Sequence, residues 1–486
     1  MSSLTSLARA LAVRDERAQP IATVRHFFVS ERPLVLIPLA MAGEANAPLA
    51  AMVGSAPDQP RLLIVPQPRN RDQRFQFAAE LGRIVKSYVD SFARHQEDVT
   101  GRRRFTDAPQ LFVPNPGGID FVRLFGRSTR LRRTWGEYAV KPEVPTLGKW
   151  LTFYAERAEH PGSSLMLAMT SALSMHWATG QSAVEDANLA ALMAWFGADP
   201  VEGALAAEDP ERWPPAGPAT DPTFDAATLA PAIERYSKTD ADSIARQMAF
   251  ERLVAALRTQ LEPTWQLMWQ ALDRLRDLQP GASVLDRWAE DRDAFTNYVE
   301  YLASAGALPQ ARRDSAVAAA RRLNRLERAQ AAFDAQRALD DPLVMAEFRL
   351  TGEAFAGSVV AAEPNRLDAS GPRRKLRPHV TVRTSDPLRL PVGTDLASPT
   401  RRSQTARIVS IEGSDVVLEL TGGMGRALTP AAGSVPELGE YVTYSTVSTA
   451  YQPNGNFPAV EDTPWTHGGP PPPPEPTEED AVEAWS

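Results

Sequence analysis

The chain has no cysteine, few lysines, no long apolar run and no Lys or Arg beyond Arg426. Lack of cysteine excludes disulfides, thiolate nucleophiles and Cys-ligated zinc or iron–sulfur centres, and points to a reducing, cytoplasmic setting. No stretch approaches the ~18 apolar residues of a membrane span, and the charged opening MSSLTSLARALAVRDERAQP lacks the apolar run of a signal peptide. A membrane partner is therefore not expected. Only five of the 52 basic residues are lysine (Lys86, Lys141, Lys149, Lys238 and Lys375), a bias that carries no functional weight.

Compact chemical signatures are missing too. The histidines are His26, His95, His160, His176, His379 and His467, none within five residues of another, which excludes H-E-x-x-H zinc sites. No G-x-S-x-G elbow occurs. The only Gly-Lys pair, Gly148-Lys149, is followed by Trp150, and Glu143 stands where a P-loop needs its first glycine. No catalytic residue, metal or cofactor is expected, and the reading leans toward a non-enzyme.

What remains is architecture and charge. With 486 residues, 43% of them hydrophobic, the chain can fill about three domains of roughly 100–200 residues each. We expect an α+β multidomain protein. Residues 1–145 read as an α/β layer domain: a helix over 3–12, apolar strands at 34–43, 47–54 and 61–68, a helix over 71–95, and a strand at 110–114. That order is shared with restriction-endonuclease-like nucleases, whose metal site needs an acidic-x-Lys step. The residues two before the lysines are Ile84, Ala139, Leu147, Tyr236 and Arg373, none acidic, so at most a degenerate nuclease fold is expected.

Residues 146–341 read as all-α. Thr239 and Asp242 suggest a capping box for a helix to about Leu261, and Pro263 the start of another. Residues 198–225 read as an acidic loop. A coiled-coil-like arm over 310–340 spaces Ala316, Ala319, Leu323, Leu326, Gln330, Phe333 and Arg337 at alternating threes and fours.

Beyond it, FRLTG (348–352), SVVAA, HVTVRT, ARIVSIEG, VVLELTG and EYVTYSTV predict a small β-barrel over 346–450, with a hairpin at Gly413, Ser414 and Asp415. Residues 451–486, including GGPPPPPEPTEED, predict a disordered acidic, proline-rich tail.

A helical arm followed by a barrel bearing ARIVSIEGSDVVLEL and GEYVTY resembles the accessory arm-and-barrel region of superfamily-1 helicases. The resemblance covers about 309–449 and excludes the motor. It implies contact with single-stranded nucleic acid and a separate motor as partner.

Two basic windows fit that implication. Residues 371–407 carry nine basic against two acidic residues, among them Arg373, Arg374, Lys375, Arg377, Arg401, Arg402 and Arg407. Residues 101–133 carry eight against two, among them Arg127, Arg130, Arg132 and Arg133, with Trp135 just beyond. Arginine's planar fork suits phosphate oxygens and base stacking. The opposing expectation is pairing with the acids of 180–230 or of the tail. The other tryptophans near helices, Trp150, Trp177, Trp195, Trp265, Trp269 and Trp288, read as core.

The expected function is a non-enzymatic accessory or scaffold protein that binds single-stranded DNA or RNA beside a helicase, ATPase or nuclease, with the barrel as the leading surface. The alternatives are a protein–protein assembly factor, or a hydrolase or nuclease with a dispersed site.

Overall fold

The computed structural model describes residues 3–41, 47–197, 218–240, 242–304, 316–371, 373–449, 455–459 and 462. Most of the expected acidic loop and tail, and the first residues of the arm, lie outside them. After helix α1 (Ser3–Asp15), the apolar runs form antiparallel strands β1 (Leu34–Ala40), β2 (Pro48–Gly54) and β3 (Arg61–Ile64), in register Ile37↔Met52 and Ala51↔Leu63. Helix α2 (Arg71–Phe92) follows, then β4 (Leu111–Val113), parallel to β1. A fifth strand, β5 (Met166–Ala168), joins parallel to β4, giving the order β3-β2-β1-β4-β5.

Every residue of β1 is buried, as a strand covered on both faces requires. The pleat sends Leu34 and Leu36 one way and Val35 and Ile37 the other. The first face meets α2, α3 (Pro116–Thr129), α4 (Glu143–Ala158) and α6 (Val284–Ala303), through Phe77, Phe121, Phe125, Trp150 and Phe295. The second meets α5 (Ile244–Asp277), through Leu261, Trp265, Met268 and Leu272. Each of those side chains contributes about 1.5–3 kcal/mol on burial.

The boundary expected at 145 therefore does not separate two cores. Residues 146–341 supply both β5 and the helix covering the sheet's second face. Nor does that region contain two helices meeting at Pro263. Ser243, not Thr239 and Asp242, caps α5 by accepting from Arg246 N at 3.1 Å, and the helix runs through Pro263. Packing along its whole length outweighs the backbone hydrogen bond that proline removes.

Helix α7 (Ala316–Asp340) is the arm, buried through Val317, Phe333, Ala335 and Ala338, whereas the expected seam residue Leu323 is 58% exposed. FRLTG is not a strand. It ends helix α8 (Pro342–Thr351), which Asp341 caps through Leu343 N and Gly352 terminates at φ 81°.

The barrel is closed and six-stranded: β6 (Ala354–Glu363), β7 (His379–Thr384), β8 (Asp395–Ala397), β9 (Thr405–Glu412), β10 (Asp415–Gly422) and β11 (Tyr441–Ser445), in the order β6-β7-β10-β9-β8-β11. Alternating residues such as Val380, Val382, Leu418, Leu420 and Tyr444 fill its interior. Gly413 and Ser414 turn the β9–β10 hairpin between paired Glu412 and Asp415.

The α7–α8 junction joins arm, sheet and barrel. Asp340 accepts from Ser283 N and Oγ, at 2.8 and 2.9 Å, and from Arg402 of the barrel. Buried Asp341 accepts from Thr23 N at 2.8 Å and lies 3.4 Å from His26 Nε2. Burial would raise that carboxyl, but the nearby His26 ring and hydrogen bonds from Thr23 and Leu343 outweigh it and hold the pKa at about 2. Among the described residues, no helix is long and apolar enough to cross a membrane.

Candidate nucleic-acid interface

The barrel arginines were the leading candidates, and several of them are engaged by nearby groups of the chain. Arg407 holds Asp395 bidentately, at 2.8 and 3.0 Å, one strand away in register. Outside the candidate set, Arg383 does the same to Asp415 at 2.7 and 2.8 Å. These hydrogen bonds hold both carboxyls below the ordinary aspartate range. Arg401 binds Glu440 at 2.8 Å and the Gly433 carbonyl at 3.2 Å, whereas Arg402 turns to the body, to Asp340 and Ser283 Oγ. Arg377 donates to the Thr421 carbonyl at 3.1 Å and lies 3.9 Å from Glu419. Arg373 and Arg374 are exposed in a loop, and exposed Lys375 pairs across a two-stranded hairpin with Asp368. Among the described residues, the acidic partners in this window are neighbouring carboxylates and Asp340 rather than the acids of 180–230 or of the tail that the sequence suggested.

The 101–133 window divides. Arg102 donates to Asn297, Arg104 to Glu97, and Arg123 to Asp120, with Glu159 3.1 Å away. Arg132 and Arg133 lie at the start of a loop. Helix α3 continues through Gly126 to Thr129. Gly126 lets α4 approach: a Cβ there would lie 3.0 Å from Thr152 N, and one on Gly148 would lie 2.1 Å from Arg130 N. That close crossing fixes where the chain leaves α3. The following loop is closed by Val140 N donating to the Arg133 carbonyl at 2.9 Å, around Gly136 at φ 89°.

The closed loop projects Trp135 and Tyr138 outward, 62% and 70% exposed. Arginines back both. The Arg133 guanidinium lies 4.9 Å from the Trp135 ring centroid. Arg71 lies 5.7 Å from the Tyr138 ring and donates to the Tyr138 carbonyl at 2.8 Å. Arg71 is positioned by the start of α2, where Asn70 caps the helix, and lies 4.7 Å above Phe75 one turn later. Arg132 approaches the same Phe75 ring at 5.4 Å and donates to the Ser128 carbonyl. Arg130 turns inward, Nη1 3.5 Å from Thr152 Oγ1, and Arg127 is exposed on the last turn of α3. Asp72 and Glu137 are the acids within this stretch, both exposed.

Trp135 thus occupies the position expected of a stacking residue, while Trp150, Trp195, Trp265, Trp269 and Trp288 are buried and Trp177 half-buried. Tyr138, Arg71 and Phe75 were missed. Tyr138 could have been noticed three residues after Trp135 in WGEY; Arg71 and Phe75 reach the loop only through tertiary contact.

The α-β-β-β-α-β order is present, but β1 and β2 carry no carboxylate. Among the described residues, no three His, Cys, Asp or Glu side chains lie together as a metal site would require. Neither a family model, nor a curated protein, nor a solved structure matches the chain.

Proposed function

We propose that the protein is a non-enzymatic accessory or scaffold protein that holds single-stranded nucleic acid on the Trp135–Tyr138 loop. The observation that carries this reading is two solvent-facing aromatic rings on one closed loop, with Arg133 beside the Trp135 ring and Arg71 beside the Tyr138 ring. Unpaired bases stack on such rings whatever their sequence, and guanidinium groups meet the phosphates between them. Duplex bases are already stacked, so a single strand is the better ligand. The barrel moves to a supporting role, with Arg373, Arg374 and Lys375 as its exposed basic contribution. The arm-and-barrel likeness to superfamily-1 helicase accessory regions is the ground for expecting a separate motor or nuclease partner.

An assembly factor is the second reading, because Trp, Tyr and Arg also dominate protein–protein hot spots. Binding of a labelled oligothymidine tests the first. Trp135→Ala should lower affinity roughly 5- to 150-fold, the equivalent of about 1–3 kcal/mol per stacked base. The exposed position makes the fold indifferent to that change. Wild-type protein that binds neither single-stranded DNA nor RNA at low salt would support the assembly factor instead.

A further inference from the structure

We infer that the outer edge of strand β3 is an interaction site for an extended segment of another protein, one that alternates apolar and basic residues and adds to the sheet as a further strand. β3 stands at the end of the sheet order, paired with β2 alone. Along it runs a slot of about 440 Å³. Leu63 packs on the face covered by α2, whereas Leu62 and Ile64 pack on the face covered by α5, yet all three line the slot. Only a space lying along the strand's edge touches side chains of both faces. Its walls are the two helices, with Gln76, Phe77 and Glu80 of α2 on one side and Phe250 and Val254 of α5 on the other. Both helical layers therefore extend past the last strand of the sheet between them.

The backbone of β3 faces the same way. Val65 N donates to the Leu49 carbonyl at 2.8 Å, and the register sets Leu63 opposite Ala51 and Arg61 opposite Val53. Bonded and non-bonded residues alternate along an antiparallel pair, so Leu62 and Ile64 turn their N–H and C=O groups away from β2 and into the slot. Among the described residues, no second strand pairs with them. Such edge groups recruit a strand, whose side chains then fall alternately on the two walls. Phe250 and Val254 are half-buried and apolar, which suits aliphatic residues. On the α2 wall Glu80 accepts from Gln76 Nε2 at 3.3 Å, while Arg258 across the slot is held by Glu262 at 2.7 Å. A basic side chain complements the Glu80 wall. A second copy of the chain is the poorer occupant, because its own β3 is recessed between the same two helices.

The test is fluorescence anisotropy of the full chain with a fluorescein-labelled peptide of alternating valine and lysine. An isomer with its valines and lysines in two separate blocks has the same charge and composition and should not bind. Leu62→Pro should weaken binding of the alternating peptide by about tenfold, since proline removes a main-chain donor that faces the slot and none that holds β2. Methylating the backbone nitrogens of the peptide, at the valines in one sample and at the lysines in another, leaves the protein itself unchanged. It should abolish binding in one of the two samples, because alternate N–H groups of an added strand face β3. No binding of the alternating peptide, equal binding of the block isomer, indifference to Leu62→Pro, or equal effects of the two methylations overturns the inference. If the Leu62→Pro chain does not fold, the methylated peptides decide alone. Self-association of the chain that Leu62→Pro removes would give the slot to a second copy and overturns it equally.

Discussion

The named arginines of the barrel window from Arg377 onward are held by neighbouring groups, and the exposed rings of Trp135 and Tyr138 set the loop apart. Arg407 and Arg383 lie directly across strand pairs from Asp395 and Asp415, so their charge is already balanced. Arg407→Ala should therefore change oligonucleotide affinity by less than about twofold, since exposed ion pairs contribute little and this one presents no free cation. A loss as large as that of Trp135→Ala in the same assay would return the barrel to first place. Trp135 was legible in the sequence because it follows a run of arginines. The partners of the barrel arginines were not, because which acid faces which arginine depends on strand register.

Two glycines where α3 crosses α4 set the position of the loop. A methyl group on Gly148 would press on the Arg130 backbone, which cannot retreat without moving the end of α3. Gly148→Ala should destabilise the protein by about 1–3 kcal/mol, as overpacking does, and should weaken oligonucleotide binding by displacing the loop. Chemical denaturation measures the first effect. Unchanged stability would mean that the crossing tolerates a Cβ and does not fix the loop. Elements were legible where the pattern was local: the three apolar strands, α2, and the barrel hairpin. Helix α5 was divided at Pro263 because proline reads as a boundary, and only its packing along the sheet holds it together. FRLTG resembled a strand because a short apolar helix end and a short strand share one composition.

The sheet, the helices on both its faces, the arm and the barrel are tied together by buried polar groups, and these titrate. His176 is fully buried, donating from Nδ1 to the Ala172 carbonyl at 2.7 Å while Nε2 accepts from His26 N at 2.9 Å. Burial pushes its pKa down to about 3, and burial together with Arg157 pushes that of His160 down to about 4. Both are near 6.5 in the unfolded chain. Their contribution to stability is therefore complete above pH 6.5. It is lost as pH falls, because the unfolded state takes up protons that the folded state refuses until pH 4 or below. His160→Gln should flatten the fall between pH 6.5 and 4 by up to about 1.4 kcal/mol per pH unit relative to wild type. Urea midpoints at pH 7, 6 and 5 provide the comparison, and parallel curves for the two proteins would contradict it. None of this long-range assembly was visible in a domain boundary drawn at 145, because β5 and α5 return to the sheet from far along the chain.

The most direct test of the proposed function is the salt dependence of oligothymidine binding, followed by fluorescence anisotropy on the wild type and on Trp135→Ala. Phosphate contacts from Arg71 and Arg133 should give a slope of log affinity against log salt of about −1.4. Trp135→Ala should lower affinity at every salt concentration without changing that slope. Absence of binding by the wild type at low salt, or binding that ignores Trp135→Ala, would contradict the assignment of the loop as the nucleic-acid surface.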